Sequence, residues 1–280
     1  MTSPDSSAPR AKQRFRAAWL LAYFPLALVY LLFSGELPAS DWRTASREPA
    51  GLAPDPTSTP AAVVQVYSAR AVSWRGWFGV HTWIAVKRSG APEFTVHEVM
   101  GWRLRRTGTA LVARNRPADG YWYGNRPELL ADVRGPDVEA LIDRIEAAIQ
   151  DYPWPDTYHV WPGPNSNTFV AHVLRQVPEL RVDLPPTAIG KDYLGWRPVH
   201  RTTSGTGAQA SLLGVVGVAA GLEEGLEVNI LGLHFGLDPK SLSVKLPIVG
   251  RLGPARDPTP VRLGDQEPLP PSAGVDSTAR

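Results

Sequence analysis

The feature that most constrains this chain is an uncharged and almost wholly apolar run near its N-terminus. The run extends from Ala17 to Phe33, and charged residues stay absent through Gly35. A helix needs about 20 apolar residues, within a range of about 17–25, to cross the hydrocarbon core of a bilayer. The run therefore predicts one transmembrane anchor over residues 17–35. A cleaved signal peptide and a buried core helix are the alternatives, but the run exceeds the usual signal-peptide core and no small-x-small cleavage motif follows it.

The charges on either side of this run predict its orientation. Residues 1–16 carry Arg and Lys residues close to the run, whereas Glu36 and Asp41 follow it. Because positive residues stay on the cytoplasmic side of a membrane, the N-terminus is predicted to be cytoplasmic and the rest of the chain exported. We expect a single-pass protein of a bacterial inner membrane, attached through its N-terminal helix, with a periplasmic or extracytoplasmic domain.

Composition excludes several classes of function. The chain of 280 residues has a formal net charge of +2 and no dense basic patch, so we expect no nucleic-acid partner. It has no cysteine, which excludes disulfides, thiolate metal sites and a cysteine nucleophile. No H-E-x-x-H or comparable ligand spacing occurs, so we expect neither a metal nor another cofactor.

Residues outside the anchor divide into one domain and two segments without a fold. Pro, Ala, Ser and Asp dominate residues 36–60 without any apolar period, which predicts a flexible linker. The tail, residues 253–280, has the same character and is predicted to be disordered. Residues 61–252 lie between them and are numerous enough to form a single domain with a substantial core.

This domain shows two kinds of pattern. Short β-branched and aromatic runs separated by turn residues predict an antiparallel sheet, and two segments with helical apolar spacing follow them. Glycines alternate with aliphatic residues over Ser211–Gly236, which indicates closely packed strands. The fold class is therefore α+β, an antiparallel sheet packed with helices. The predicted strands are Val63–Ala69, Gly79–Lys87, Glu93–Gly101 and Thr109–Arg114, and the predicted helices are Pro136–Asp151 and Asn165–Val177.

Two histidines stand on neighbouring predicted strands. A hairpin with a short loop near Ser89 would bring His81 opposite His97 or within one residue of it. The even spacing of the two histidines then puts both side chains on one face of the sheet, provided that the register is regular. The alternative is that each imidazole is partly buried and satisfied by a local hydrogen bond.

Ser166 is predicted to lie in the first turn of the second helix, on the apolar stripe that faces the sheet. Backbone N–H groups are free at a helix N-terminus, and the helix dipole favours negative charge there. The amides of Ser166 and Asn167 are therefore candidates for an oxyanion hole. The alternative is that Ser166 or Asn165 is simply the N-cap, a frequent role of these residue types.

Other polar and aromatic residues carry weaker signals. His172 lies off the apolar stripe of its helix and is predicted to be solvated. Glu224 and Glu227 lie beside glycines, and a solvated turn accounts for them. Trp83 and Trp161 belong to a larger set of tryptophans that are candidates to line a lipid or glycan groove, although core packing accounts for most of the set.

The order of these motifs resembles circularly permuted papain-like families, among them NlpC/P60-related and lecithin:retinol acyltransferase-like proteins. Those families place a histidine on one strand, a second polar residue on the next strand, and a motif N-C-x-x-F at a helix start. The corresponding strings here are GVHTWIAVK, TVHEVMGW and NSNTFV, so that Ser166 stands where the families have cysteine. The region from about 63 to 249 also looks like the uncharacterised bacterial domain-of-unknown-function family 3750.

The permuted papain-like resemblance implies a role for each matching residue. Ser166 would be the nucleophile of a permuted papain-like core, His81 the general base and His97 its orienting partner. The neighbouring candidates for substrate contact are Asn165, Asn167, Trp83 and Trp161.

Such a site implies an envelope hydrolase or acyl-transfer enzyme that acts on an amide or ester of the cell wall or of a lipid. A serine hydroxyl must lose its proton to a base during attack, whereas a cysteine ionises readily. The sequence is therefore also compatible with a non-catalytic envelope protein that binds a lipid, peptide or wall fragment in the same groove.

Overall fold

The computed structural model describes residues 22–34, 41–135, 137–254 and 261–262. The chain divides into two compact units, Met1–Leu37 and Pro38–Arg280. In the first unit, residues 22–34 form helix α1, which covers much of the predicted anchor. None of the helices within the described residues is both long and apolar enough to cross a membrane. Residues 17–21 and 35 of the predicted anchor, like the segment 1–16, lie outside the described residues.

The described residues of the second unit form thirteen strands and three α-helices. The helices are α2 (Leu104–Thr107), α3 (Val138–Gln150) and α4 (Ser166–Gln176). The strands are β1 (Val63–Arg70), β2 (Val80–Lys87), β3 (Thr95–Val99), β4 (Leu111–Asn115), β5 (Glu128–Arg134), β6 (Val199–Arg201), β7 (Gly207–Leu212), β8 (Val216–Gly221), β9 (Gly225–Ile230), β10 (Leu233–Asp238), β11 (Ser243–Leu246), β12 (Gly250–Leu252) and β13 (Val261–Arg262). The predicted α+β class with antiparallel pairing is confirmed.

The first sheet has six strands in the order β13-β5-β1-β2-β3-β4. Its pairings are antiparallel except for β13, which comes from the C-terminal tail and runs parallel to β5. Helices α3 and α4 cover one face of this sheet. The apolar stripe of α3 is buried there together with Ile84 of β2 and Phe169 of α4, as its spacing predicts. We call this side of the first sheet the helix face.

The opposite side of the first sheet, the aromatic face, carries a second core. Tyr67, Trp83 and Trp122 are buried there, and Leu52 and Ala53 from the predicted linker pack against them. The carboxylate of Asp119 accepts hydrogen bonds from the backbone N–H groups of Leu52 and Ala53, at 2.6 and 3.1 Å. The described part of that linker, residues 41–60, has no helix or named strand but follows the surface of the domain. Residues 36–40 lie outside the described residues.

The second sheet is an antiparallel meander of seven strands, β6 to β12 in chain order. The glycine-rich strands predicted over Ser211–Gly236 fall in β7 to β10. Gly207 shows why glycine is needed, because a Cβ atom built there would lie 1.9 Å from the carbonyl oxygen of Ala220 on the neighbouring strand. One side of the sheet packs against α4 and the segment 178–198, where Arg175 donates hydrogen bonds to the Lys191 carbonyl and the Gln209 side chain.

Side-chain polarity is inverted in the second sheet. The inward positions of its strands hold charged and polar residues such as Glu227, His234 and Lys245, which are buried. The pairing register puts the remaining positions together on the opposite side, which we call the outer face. These outward positions are Val199, Arg201, Ala208, Ala210, Leu212, Val216, Val218, Ala220, Leu226, Val228, Ile230, Leu233, Phe235, Leu237, Val244, Leu246, Gly250 and Leu252.

Candidate functional site

The two predicted site histidines lie on adjacent antiparallel strands, but not on one face. In the observed register Ile84, rather than His81, lies directly opposite His97. Since side chains alternate along a strand, His97 shares the helix face with Ile84, whereas His81 shares the aromatic face with Trp83. The prediction that both imidazoles share one face is therefore wrong. The hairpin loop is offset from the centre expected near Ser89, and an odd shift in register exchanges the faces.

His81 belongs to a buried cluster on the aromatic face. Its Nε2 atom lies 3.0 Å from Oε2 of Glu98, and its ring stacks on Trp122 with centroids 3.6 Å apart. The other Glu98 oxygen accepts a hydrogen bond from Arg114 at 3.0 Å and lies 3.5 Å from Arg116. A carboxylate that is itself fully buried is thus surrounded by one imidazole and two guanidinium groups.

The electrostatics of this cluster fix the state of His81. Burial lowers the pKa of His81 and outweighs the opposing effect of Glu98. Burial alone would raise the pKa of Glu98, but the hydrogen bond from His81 and the nearby arginines lower it overall. Glu98 is therefore ionised and His81 neutral near pH 7. Because an ionised carboxylate only accepts hydrogen bonds, Nε2 of His81 carries the proton.

His97 has a different environment on the helix face. Burial lowers the pKa of its imidazole, and the negative charge of Glu146 on α3 only partly opposes this. Its Nε2 atom is buried and has no hydrogen-bond partner among the described residues. A neutral imidazole with an unused ring nitrogen retains the capacity to accept a proton.

Asn165 is the N-cap of α4, which is one of the two capping roles that the sequence allowed. Its side-chain oxygen accepts hydrogen bonds from the backbone N–H groups of Asn167 at 2.9 Å and Thr168 at 3.2 Å. The Thr168 hydroxyl in turn accepts from the Asn165 N–H at 3.1 Å, which completes a capping box. The side-chain nitrogen Nδ2 of Asn165 donates hydrogen bonds to the backbone carbonyls of Val160 and Ile189. The Asn167 N–H proposed for an oxyanion hole is therefore already engaged by the cap.

Ser166 and Asn167 are buried against the helix face of β2. The Thr82 hydroxyl donates to the Ser166 carbonyl at 3.3 Å and to the Asn167 side-chain oxygen at 3.1 Å. The Asn167 amide nitrogen donates to the carbonyls of Val80 at 3.0 Å and Ile189 at 2.8 Å. Asn167 thus holds together the helix, the strand and the segment that follows Thr187.

The two predicted tryptophans occupy different environments. Trp83 is fully buried, and its indole N–H donates to the Ala118 carbonyl at 2.8 Å. Trp161 is half-exposed and donates to the carbonyl of Leu231, in the turn between β9 and β10, at 2.9 Å. Trp161 is therefore accessible to a ligand, whereas Trp83 is a core residue.

His172 and the glutamates differ from their predicted exposure. The prediction that His172 is solvated is wrong, because its Nε2 atom donates to the Ala148 carbonyl at 3.1 Å and burial lowers its pKa to about 4. Glu224 lies in the turn before β9 and Glu227 lies on β9, and both are buried rather than solvated. The sequence signal for Glu227 was its alternation with the aliphatic residues of β9, which puts it on the face opposite Leu226 and Val228.

Glu227 lies at the centre of a buried ionic network. Its two oxygens pair with Lys191 at 2.6 Å and Lys245 at 3.1 Å. Burial raises its pKa, but these lysines outweigh burial and lower the pKa to about 2. Asp192 and His234 lie beside it, and one atom of each of these three acidic or imidazole groups falls within 4.8 Å of the others. The atoms of this triad are of types that bind metal ions, but its carboxylates are already paired with Lys191, Lys245 and His234. We therefore assign the network a role in stabilising the fold.

Comparison with known proteins gives one family. Residues 61–193 match the family described as "Protein of unknown function (DUF3750)". No curated protein and no solved structure matches the chain. The resemblance to this family stated from the sequence is confirmed, whereas nothing in the comparisons supports the resemblance to permuted papain-like proteins.

Proposed function

Residues 61–193 match the DUF3750 family of proteins of unknown function, and for this chain we propose a non-catalytic role: binding of an apolar partner. The proposal depends on one observation, the exposure of apolar side chains on the outer face of the second sheet. Val218 and Leu226 on this face are 53% and 57% exposed, and Leu237 is 58% exposed. Large contiguous apolar patches are rare on soluble monomers and mark sites of interaction with proteins, ligands or membranes.

The predicted catalytic groups give less support to an enzyme. A general base must come within about 2.6–3.2 Å of the proton that it removes, or act through one water. Ser166 is packed on the helix face of the first sheet, and His81 is on its aromatic face with its Nε2–H directed to Glu98. The amide nitrogens of Asn165 and Asn167 are committed to backbone carbonyls, so they serve the fold rather than a substrate.

A second candidate function, the predicted hydrolase or acyltransferase of the cell wall or lipids, keeps one observation in its favour. His97 is on the same face of the first sheet as Ser166, and its Nε2 atom has no hydrogen-bond partner among the described residues. In that mechanism His97, not His81, would take the proton from the Ser166 hydroxyl. The two candidate functions therefore differ in which histidine matters.

The proposal retains the topology derived from the sequence. The basic residues in segment 1–16 and the apolar run after them favour a cytoplasmic N-terminus and an exported domain. Fusions of alkaline phosphatase to the C-terminus should be active in intact cells, since that reporter requires export. A fusion that is inactive, while a cytoplasmic reporter at the same position is active, would contradict this orientation.

Two labelling experiments on the purified full-length chain separate the candidate functions. A photoreactive fatty acid should cross-link to residues 199–252, and cross-linking should fall when Val218→Asp and Leu226→Asp are combined. A serine-reactive fluorophosphonate should leave Ser166 unlabelled. Labelling at Ser166 that disappears in His97→Ala but persists in His81→Ala would establish the enzyme instead. Absence of any cross-link in residues 199–252 would remove the support for apolar binding.

A further inference from the structure

We infer that the outer face of the second sheet docks on the acyl-chain layer of a lipid bilayer. The inference rests on the proposed function and makes it specific, since it names the apolar partner.

The composition of the outer face matches lipid chains rather than a polar surface. Its outward positions hold aliphatic residues, one phenylalanine and one glycine, and Arg201 on the edge strand β6 is the charged exception. Protein interfaces are usually enriched in Tyr, Trp, Met and Arg and carry about one hydrogen bond per 100–200 Å². The side chains of the outer face offer almost no hydrogen-bonding groups, as expected for contact with hydrocarbon. The charges that this sheet does carry, such as Glu227 and Lys245, point away from the outer face and neutralise each other.

The turns at the ends of the sheet add exposed leucines. Leu222 and Leu242 lie in the turns between β8 and β9 and between β10 and β11, and they are 66% and 81% exposed. Leu231, in the turn between β9 and β10, is exposed as well, and both it and Leu242 have positive φ angles, 56° and 50°. Such backbone positions usually hold Gly, Asn or Asp. A leucine at such a position has an unfavourable backbone conformation and exposes its apolar side chain to water. The cost of that exposure disappears when the turn contacts lipid.

The rim of the face carries residues that suit a membrane–water boundary. Arg201 points to the same side as Val199, and Trp196, in the loop that leads into β6, is 87% exposed. Beside the turn between β9 and β10, the half-exposed indole of Trp161 donates a hydrogen bond to the Leu231 carbonyl. Tryptophan is enriched at the level of lipid headgroups, and arginine is attracted by anionic lipids.

The predicted N-terminal anchor favours a membrane over a second copy of the chain as the occupant. The outer face projects an area of roughly 500 Å², from seven strands spaced by about 4.8 Å with about five residues each. A chain that the anchor attaches to a bilayer needs only a small additional contact to hold such a face on it.

The experiment uses the absence of native cysteines in the chain. Val218→Cys, at a half-exposed position on the interior strand β8, is labelled with the environment-sensitive fluorophore NBD in the full-length protein. Arg105→Cys, at an exposed position on α2, is the matched control. Both proteins are reconstituted into vesicles of phosphatidylethanolamine and phosphatidylglycerol, with and without lipids that carry a spin label on the acyl chain.

We expect a blue shift of NBD emission, and quenching by the spin-labelled lipid, at position 218 but not at position 105. Adding Leu226→Asp to the Val218→Cys protein should abolish both effects, because it puts a charge beside the probe at a position that is already exposed. Anything that anchors the chain elsewhere is common to all these variants and cannot produce the difference.

Three results would overturn the inference. Equal emission at positions 218 and 105 in vesicles would mean that the face does not meet lipid. Persistence of the shift with Leu226→Asp would mean that another surface causes it. A blue shift without vesicles, together with disulfide-linked dimers of unlabelled Val218→Cys, would identify a second copy as the occupant. In the last case binding of an apolar partner survives, whereas failure of the photoreactive fatty acid to cross-link would remove the proposed function itself.

Discussion

Replacement of Asn167 by alanine separates a structural role for this side chain from a role in substrate binding. The variant loses the hydrogen bonds to the Val80 and Ile189 carbonyls and the one received from Thr82. Ile189 keeps a second donor in Asn165, but the Val80 carbonyl is left with no described side-chain donor. Each net hydrogen bond contributes about 1 kcal/mol, and alanine recovers about 0.5 kcal/mol through its helix propensity.

We therefore expect Asn167→Ala to lower the free energy of unfolding by about 2–3 kcal/mol, with a fall in Tm on the order of 5–10 °C. Denaturant and thermal unfolding of the full-length chain would measure both. The matched control is Asn115→Ala, whose exposed amide pairs with Glu93, and it should cost less than about 0.5 kcal/mol. Equal and small effects of the two substitutions would refute the structural assignment and return Asn167 to the list of candidate ligand contacts.

Three further substitutions test other parts of the structure by the free energy of unfolding. Lys245→Met removes one of the two cations that pair with each of the buried carboxylates Asp183 and Glu227, and it should cost up to about 3–5 kcal/mol; a neutral result would mean that this network is hydrated. Gly207→Ala should cost about 1–3 kcal/mol because its Cβ would overlap the carbonyl oxygen of Ala220, whereas Ala208→Ser beside it should stay within about 0.5 kcal/mol. Burial lowers the pKa of His172 to about 4. The neutral imidazole therefore contributes to the free energy of unfolding above about pH 6.5, and this contribution is lost as the pH falls through 4. His172→Gln should flatten that acid limb, by up to about 3 kcal/mol, and parallel stability curves would contradict the assignment.

Local patterns in the sequence predicted β1 to β4 of the first sheet and the helices α3 and α4, but not the strands β5 and β13. The helix predicted over Asn165–Val177 is observed as Ser166–Gln176, because both its capping residues and its stop before Pro178 are local signals. The strand predicted over Gly79–Lys87 is observed as Val80–Lys87 for a similar reason, since its β-branched and aromatic run is continuous. Element type and length depend on near neighbours, which a sequence contains.

The register between strands could not be predicted in the same way. It depends on the conformation of the loop between Lys87 and Thr95, and the small displacement of that loop moves His81 to the aromatic face. Glu98, the partner of His81, gave only the signal of a carboxylate within an apolar strand. The sequence therefore named candidate residues such as His81 and Ser166, but it could not predict how they lie relative to one another.

The inverted polarity of the second sheet also escaped prediction. Alternation identifies the two faces of a strand, but the usual rule assigns the apolar face to the core. Here residues such as Glu227 and Lys245 are buried because they pair with each other across strands and with the segment 178–198. Such pairs are distant in sequence, so their mutual compensation becomes visible only in the folded chain.

The separation of Ser166 from His81 is the central structural claim, and Ser166→Cys tests it most directly. The variant has a single thiol, so the rate of its alkylation by iodoacetamide reports the ionisation of that residue alone. A thiol activated by a neighbouring imidazole reacts at pH values well below its normal pKa of about 8.5. We predict an apparent thiol pKa of about 8.5 or higher, because the position is buried, and no change when His81 is replaced by alanine. A thiol pKa below about 7 that returns to normal in the Ser166→Cys, His81→Ala double variant would contradict the account.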